Sequence, residues 1–227
     1  LDPSSTFESL IGTEYLDPSF ITQLKNIKYR GSVSRIHFEL DELPEIKGVS
    51  NEEMNTFFTV SPSIEYLERA SDACKYGEIS KNPFVEFSFP TINNPEFSSE
   101  RNHILSATIQ YTPYKLRRNE WSSSLKETLK ENIISILSAY IPGINSLIKS
   151  THIFTPVDFE QQFGIKEGSF NHGEMTLDQF FFMRPTISTS QYKSPISNLF
   201  ICGSSTHPGG GIHGANGYNA AKEILKA

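Results

Sequence analysis

A glycine-rich loop near the C-terminus is the sequence feature that most constrains the fold. An apolar segment over residues 199–202 precedes the loop, and an Ala-rich segment over residues 215–221 follows it. Within the loop, Gly209, Gly211 and Gly214 fit the pattern G-x-G-x-x-G. Strand, glycine loop and helix in this order are typical of a nucleotide-cofactor site. Glycines let a ligand approach the backbone, and the helix N-terminus presents N–H groups to it.

The position of this loop in the chain limits which part of a cofactor fold it can form. Only thirteen residues follow Gly214, so no second strand can follow, and no acidic residue lies about 20 positions further on to bind a ribose. We therefore expect the closing strand, loop and helix of a Rossmann-like domain, in a chain that is the C-terminal part of a longer protein. The absence of an initiator Met agrees with this expectation. Two alternatives are a flexible loop that only caps a helix, and an NAD site, which the missing βαβ unit disfavours.

Composition narrows the classes of function. The 227-residue chain has a formal net charge of −6, which disfavours nucleic acid as a partner. No stretch approaches the roughly 20 apolar residues of a transmembrane helix. Two cysteines, Cys74 and Cys202, make no disulfide framework and indicate a reducing compartment, so we expect a cytoplasmic protein, with the mitochondrion as an alternative. No metal site is predicted, because ligands at suitable spacing are lacking.

Hydrophobic periodicity predicts an α+β fold. Alternation of apolar and polar residues predicts strands over residues 35–40, 56–60, 85–89 and 105–111. Cap and stop residues predict helices over residues 5–11, 18–25, 63–76, 124–140 and 156–163. Strands with one apolar face favour a mostly antiparallel or mixed sheet with helices on one face. The other face is then free to line a cavity, for which the strand phenylalanines are candidates, although a single Phe is more often part of the core.

Several segments together resemble a known family. Residues 199–203, 206–211 and 214–221 resemble the C-terminal, FAD-closing segment of phytoene-desaturase-like flavoproteins, within the amine-oxidase-like FAD superfamily. Residues 170–185 and 26–36 resemble the branch named pyridine nucleotide-disulphide oxidoreductase domain-containing proteins. The similarity covers nearly the whole chain. No C-x-x-C pair is present, so the disulphide chemistry in that branch name is not expected here.

The resemblance implies two domains and a flavin. Residues 1–195 would form a substrate-binding domain, and residues 196–227 the C-terminal segment of an FAD-binding domain whose N-terminal half is absent. That half would be the partner of this chain, and the substrate would be an apolar or lipid-like small molecule. Because most FAD contacts would belong to the absent half, we expect the chain alone not to retain FAD. By position, the residues implied to contact FAD are Gly203, Thr206, Gly209, Gly210, Gly211, Gly214, Ala215 and Asn216.

The implied activity is that of an FAD-dependent oxidoreductase that transfers hydride equivalents between an apolar substrate and the flavin. Helix N–H groups of Gly214, Ala215 and Asn216 would face the pyrimidine edge of the ring and stabilise negative charge there. His207 and His213 flank the glycines and are candidates for acid–base catalysis, or else residues that hold the loop. The alternative function is a binding or interaction module that keeps the fold without turnover.

A further expectation concerns Asp178 and Arg184, which lie in the segment 170–185. Opposite charges six residues apart can form a salt bridge that holds the aromatic residues between them. If such a pair is buried, removal of one partner costs about 3–5 kcal/mol.

Overall fold

The structure, a computed structural model, describes residues 2–98, 102–118 and 120–226. It divides into two compact units. The first, here called the loop unit, comprises Leu1–Gly31 and Asp158–Ala227. The second, here called the sheet unit, comprises Ser32–Val157.

The sheet unit contains a five-stranded sheet in which every pair of neighbouring strands is antiparallel. Its spatial order is β2-β3-β4-β1-β5, so the long strands β1 and β4 lie inside and share a continuous register from one end to the other. The α+β class and the antiparallel sheet predicted from the sequence are thereby confirmed. The strands are β1 Val33–Leu40, β2 Phe58–Val60, β3 Val85–Ser88, β4 His103–Gln110 and β5 Ile148–Phe154.

One face of this sheet forms the core of the sheet unit. Ile36 and Phe38 of β1 pair with Ala107 and Leu105 of β4, and all four side chains are completely buried. Helix α3, Ser123–Ser138, covers them with a stripe of buried residues at helical spacing, Leu129, Ile133 and Leu137. The alternation along the strands and the helical spacing in α3 therefore both identify the residues that face this core.

Three phenylalanines of the predicted strands lie in this core. Phe38, Phe87 and Phe89 are each at most 3% exposed. The residues that alternate with them, such as Arg35 and Glu39, point to the opposite face, which is polar. The expectation that a single strand Phe is more often part of the core is therefore confirmed for these three residues, because a sheet with one buried face places its large apolar side chains there. Phe87 also borders a small cavity with Arg35 and Glu86.

Strand β5 was not predicted. It pairs with β1 at the edge of the sheet, with a register shift between Glu39 and Leu40. None of its residues is fully buried, and its sequence lacks a clean alternation of apolar and polar side chains. An edge strand with little buried surface therefore gives a weak signal in the sequence.

The helices begin close to the predicted cap residues. Asp17 caps α1 by accepting from the N–H of Ser19 at 2.7 Å, and Ser63 caps α2 through the N–H of Tyr66. Helix α3 begins two residues early, because Ser122 is the cap, in place of Ser124. The helices are α1 Pro18–Lys25, α2 Ile64–Lys75, α3 Ser123–Ser138, α4 Ile144–Leu147, α5 Pro156–Phe163 and α6 Ala215–Ile224, with a π-helix over Ser5–Ile11.

The loop unit has a small apolar core and little regular structure. Phe7, Leu16, Phe20 and Leu24 are buried together, and the rings of Phe7 and Phe20 meet edge to face at 5.0 Å between centroids. Residues 165–214 contain short 3-10 helices, turns and one isolated β-bridge, and they lack longer helices and strands. The backbone of these turns is held by side-chain donors, as described below.

The strand predicted over residues 199–202 is absent from this described part of the chain. The segment forms a single antiparallel bridge between Phe200 and Lys193, and the N–H of Ile201 donates to the carbonyl of Tyr192 at 2.8 Å. Leu199 and Ile201 instead pack against the core of the loop unit. A strand needs a ladder of such bonds along a neighbouring strand, and one bridge does not provide it. The helix predicted after the loop is confirmed as α6.

The predicted functional boundary between residues 195 and 196 does not coincide with the division into compact units. That boundary separates the parts of the chain that would contact substrate and cofactor, and it stays a prediction. In the described ranges, no helix is both long enough and apolar enough to traverse a lipid bilayer.

We expect substitution of Ile133 by Ala to destabilise the sheet unit by about 2–5 kcal/mol, because it leaves a cavity in the middle of the core. Ile133 is completely buried under the sheet. The matched control is Ser135→Ala, at an exposed position of the same helix. Urea unfolding followed by the fluorescence of Trp121, the single Trp of the chain, measures both. Equal unfolding midpoints for the two variants would contradict this assignment of the core.

Candidate functional site

The glycine-rich loop of the loop unit is folded by its own short-range hydrogen bonds. The N–H of Thr206 donates to the carbonyl of Gly203 at 3.0 Å, and the N–H of Gly209 donates to the carbonyl of Thr206 at 2.8 Å. Gly203, Gly209 and Gly214 have φ angles of 108°, 110° and 66°. Residues other than glycine rarely adopt these values, so the glycines are required by the turns themselves.

Asn216, in the first turn of α6, fastens this loop to the helix. Its side chain is only 7% exposed. The Nδ2 group lies 2.8 Å from the carbonyl oxygen of Gly203, 2.9 Å from that of Thr206 and 3.2 Å from that of Gly209. The two N–H groups of the Asn216 amide are thus shared among these three carbonyls. The predicted loop and helix are therefore one rigid element, joined through this amide.

Arg184 supports the same loop from the other side. Its side chain is 2% exposed, and its guanidinium donates to the carbonyl of Ser204 through Nη2 at 2.8 Å and Nε at 3.2 Å. Nη1 donates to the carbonyl of Glu174 at 3.0 Å, and Nη2 also to that of Asn171. Loss of solvation on burial lowers the pKa of Arg184 to about 10. The guanidinium thus joins the loop to the segment 170–185.

The predicted Asp178–Arg184 salt bridge is wrong. Asp178 pairs with Lys28 at 2.5 Å, and both of these side chains are about half exposed. This contact is the main cause that lowers the pKa of Asp178 to about 2. In the described part of the chain, no carboxylate forms an ion pair with Arg184. Its planar fork of five N–H groups is satisfied by backbone carbonyls, which leaves its positive charge uncompensated beside the loop.

The glycines predicted to contact FAD fall into two groups. A Cβ on Gly209 would lie 2.5 Å from Cε of Met175, and a Cβ on Gly210 would lie 1.9 Å from Oδ1 of Asn171. These two glycines are explained by packing within the protein. A Cβ on Gly203 or on Gly214 would meet no atom within 4 Å, and both residues are exposed. The open space beside Gly203 and Gly214 is where a ligand can approach the backbone.

The remaining predicted residues have different surroundings. Thr206 is completely buried, and its hydroxyl donates to the carbonyl of Gly203 at 2.8 Å, so it supports the loop from inside. Gly211 is exposed and has a φ angle of 127°. Ala215 is half-buried at the first position of α6, and the cap residue Gly214 offers no side-chain acceptor. The N–H of Ala215 donates to the ring of His213, and the start of α6 carries the partial positive charge of a helix N-terminus.

The two histidines differ in how they are held. Nδ1 of the exposed His213 accepts from the N–H of Ala215 at 3.1 Å, so this ring closes the start of α6. His207 is half-buried beside the ring of Phe181, with 5.8 Å between ring centroids. Its Nδ1 is buried and has no hydrogen-bond partner in the described residues. A role for either histidine in proton transfer stays a prediction.

Sequence reasoning missed several residues that hold this site. Tyr192 donates its hydroxyl to the carbonyl of His207 at 2.5 Å and accepts from Asn219 of α6 at 3.0 Å. Asn171 and Met175 pack directly against Gly210 and Gly209. Asn171 and Met175 belong to the segment 170–185 that carried the family resemblance, whereas Tyr192 lies in a loop without any periodic signal.

Comparison with known proteins supports the resemblance. The chain is 31% identical over 233 residues to pyridine nucleotide-disulfide oxidoreductase domain-containing protein 2 of Rattus norvegicus, covering 99% of this chain and 40% of the rat protein. It is 26% identical over 239 residues to a limonene dehydrogenase subunit of Castellaniella defragrans, covering 99% of this chain and 43% of that protein. It is 24% identical over 219 residues to a lycopene-forming phytoene desaturase of a Paracoccus species, covering 95% of this chain and 41% of that protein.

These comparisons confirm the resemblance that the sequence motifs indicated. The chain spans about 40% of the length of the relatives it matches. No protein-family model matches the chain.

We expect Asn216→Leu to loosen the glycine-rich loop and to cost about 1–3 kcal/mol of stability, because the carbonyls of Gly203, Thr206 and Gly209 lose the amide that joins them to α6. Asn219→Leu, in the same helix, is the matched control, since it removes a single hydrogen bond to Tyr192. Hydrogen exchange of residues 203–214 measures the loosening, and urea unfolding measures the loss of stability. Unchanged exchange rates in Asn216→Leu would contradict the fastening role of this amide.

We also expect the stability of the loop unit to fall in acid through His172. Burial lowers the pKa of His172 below 6.5, and the positive charge of Arg184 adds to this effect. Below pH 6.5 the unfolded chain therefore takes up a proton that the folded protein resists, so the free energy of unfolding decreases as pH falls through that range. The decrease between pH 7.5 and pH 5.5, measured by urea unfolding, should be smaller in His172→Gln. The His152→Gln variant, changed at an exposed histidine, should show nearly the same decrease as the unchanged chain. An equal decrease in the unchanged chain and in both variants would contradict the assignment.

Proposed function

We propose that this chain is the C-terminal part of an FAD-dependent oxidoreductase that transfers hydride equivalents between flavin and an apolar substrate. Its relatives carry the names of an oxidoreductase-domain protein, a dehydrogenase subunit and desaturases. The single observation that supports a cofactor role here is the open space beside Gly203 and Gly214 at the N-terminus of α6. This arrangement fits an electron-rich or anionic group close to the backbone.

The residues present fit a flavin at this place. Gly203 and Gly214 would allow close approach of the cofactor, and the partial positive charge at the start of α6 would favour its negatively charged edge. The N–H of Ala215 donates to Nδ1 of His213, so His213 would have to release this N–H before the cofactor could accept from it. A bound flavin would supply the hydride acceptor or donor. Asn216 and Arg184 would act as positioning residues, because they fix the loop before the cofactor binds.

The charges near the loop favour the same kind of ligand. Arg184 is a buried cation without a carboxylate partner in the described residues, and it contacts the carbonyl of Ser204, next to Gly203. The start of α6 adds a partial positive charge. Both would favour the state of a ligand that carries negative charge, which is the condition for stabilising a reduced flavin.

The alternative is a protein that keeps the same fold for binding or interaction without turnover. The open space beside the backbone of Gly203 and Gly214 supports the catalytic proposal, because a ligand can approach the backbone there. Gly209 and Gly210, by contrast, face side chains of the protein itself. Gly203 and Gly214 are exposed to an empty space that a ligand can occupy.

We expect the full-length gene product that carries this chain to purify with flavin absorbance, and Gly214→Val to lose most of it. A Val side chain would occupy the space beside the N-terminus of α6. Gly143→Val is the matched control, because Gly143 also precedes a helix in the left-handed region, with φ of 75°, but lies in the sheet unit. The two variants introduce similar backbone strain, so only the site should distinguish their flavin content.

The ratio of flavin to protein absorbance, together with circular dichroism to show that each variant is folded, measures this outcome. A folded, colourless full-length protein would favour the non-catalytic alternative. We further propose that the 227-residue chain alone does not retain FAD, and stoichiometric tight binding in a calorimetric titration would overturn that part of the proposal.

A further inference from the structure

A cavity of about 440 Å³ lies in the sheet unit, far in sequence from the glycine-rich loop. Three segments line it: residues 77–81 after α2, residues 116–118, and the first half of α3 from Leu125 to Asn132. Its volume falls in the range of about 300–1,000 Å³ that is usual for small-molecule sites.

Hydrogen bonds hold the walls of this cavity in place. The chain turns at the end of α2 through bonds from Gly77 to the carbonyl of Cys74 at 3.0 Å and from Glu78 to the carbonyl of Ala73 at 2.9 Å. The N–H of Arg117 donates to the carbonyl of Gly77 at 2.9 Å, which joins the first two segments. The amide of Asn132 donates to the carbonyl of Lys81 at 3.0 Å, which fixes the first segment to α3.

The glycine at position 77 is required by this close contact. It has a φ angle of 71°, and a Cβ there would lie 2.9 Å from the backbone nitrogen of Arg117. The two segments can approach this closely only without a side chain at that position. The cavity is therefore formed by the fold itself and does not depend on mobile side chains alone.

The lining of the cavity is amphipathic. Its apolar part consists of Ile79, Leu116, Leu125 and Leu129, and Ile79 and Leu129 belong to or pack against the core of the sheet unit. The polar part carries three basic side chains, Lys81, Arg117 and Arg118, against one carboxylate, Glu78.

The basic side chains are available to an external anion. Within residues 2–98, 102–118 and 120–226, none of Lys81, Arg117 and Arg118 forms an ion pair. Both arginines are exposed. The cavity lining has more basic than acidic side chains, although the whole chain has a net charge of −6. This local positive charge attracts anions within about a Debye length.

We propose that this cavity binds a single-chain amphiphile with an anionic head group, of the chemical class of a medium-chain carboxylate. The apolar chain would lie on Leu116, Leu125 and Leu129, where it is removed from water. The carboxylate would be bound by Arg117 and Arg118, whose guanidinium groups match it by paired hydrogen bonds. This site is separate from the proposed flavin contacts and does not depend on them.

The test is calorimetric titration of the whole chain with laurate, below its micellar concentration, and with dodecanol as the neutral counterpart. We expect saturable, one-to-one binding of laurate that weakens as salt is added, and binding of dodecanol that is weaker by at least about tenfold. Two variants locate the site. Arg117→Ser with Arg118→Ser removes the cations, and Thr128→Trp fills the cavity from an exposed position of α3 that lines it.

Each variant should weaken laurate binding by at least about tenfold. The matched control is Lys25→Ser with Lys193→Ser, which removes the same charge from exposed positions of the loop unit and should change affinity by less than about twofold. Absence of saturable laurate binding would overturn the proposal. Equal affinity for dodecanol, or equal weakening by the control pair, would also overturn it, because either result would show non-specific adsorption. Flavin content plays no part in these measurements, so they are independent of the proposed oxidoreductase activity.

Discussion

The loop unit depends on how its buried backbone carbonyls are hydrogen-bonded. Residues 165–214 form hardly any regular helix or sheet, so few of their carbonyls have partners in a ladder. Arg184 and Asn216 supply the missing donors from buried side chains and so join three stretches of chain. An unpaired buried carbonyl is costly, so these two side chains, together with the short-range bonds of the loop, stabilise one conformation of it.

This manner of holding a loop has consequences for chemistry. The N–H groups of Arg184 are directed at carbonyls, and among the described residues its positive charge has no carboxylate partner. The N-terminus of α6 adds a partial positive charge. The same contacts that make the loop rigid therefore also make its surroundings electrically positive, which suits the electron-rich cofactor edge proposed for it.

The sheet unit is stabilised in a different way. Its antiparallel sheet satisfies backbone groups within the ladder, and burial of one apolar face under α3 supplies the driving force. No special side chain is needed, and the polar residues of the opposite face, such as Arg35 and Glu39, remain outside the core. The cavity beside α3 arises where this regular packing ends and the loops after α2 and β4 close over the core.

The sequence by itself determined the parts of the protein whose signal is local. Alternation along β1, β3 and β4, the stripe of α3, the caps Asp17 and Ser63, and the glycine pattern before α6 are all readable within a few residues. Tertiary structure alone decided which groups meet in the loop unit. Arg184 donates to backbone carbonyls and does not pair with Asp178, and Asn216 donates to carbonyls of the glycine-rich loop. Residues 199–202 pack against the apolar core and do not join a sheet. The physical reason is that a hydrogen-bond donor or an edge strand selects its partner by distance in space, and sequence separation says nothing about that distance until the chain has folded.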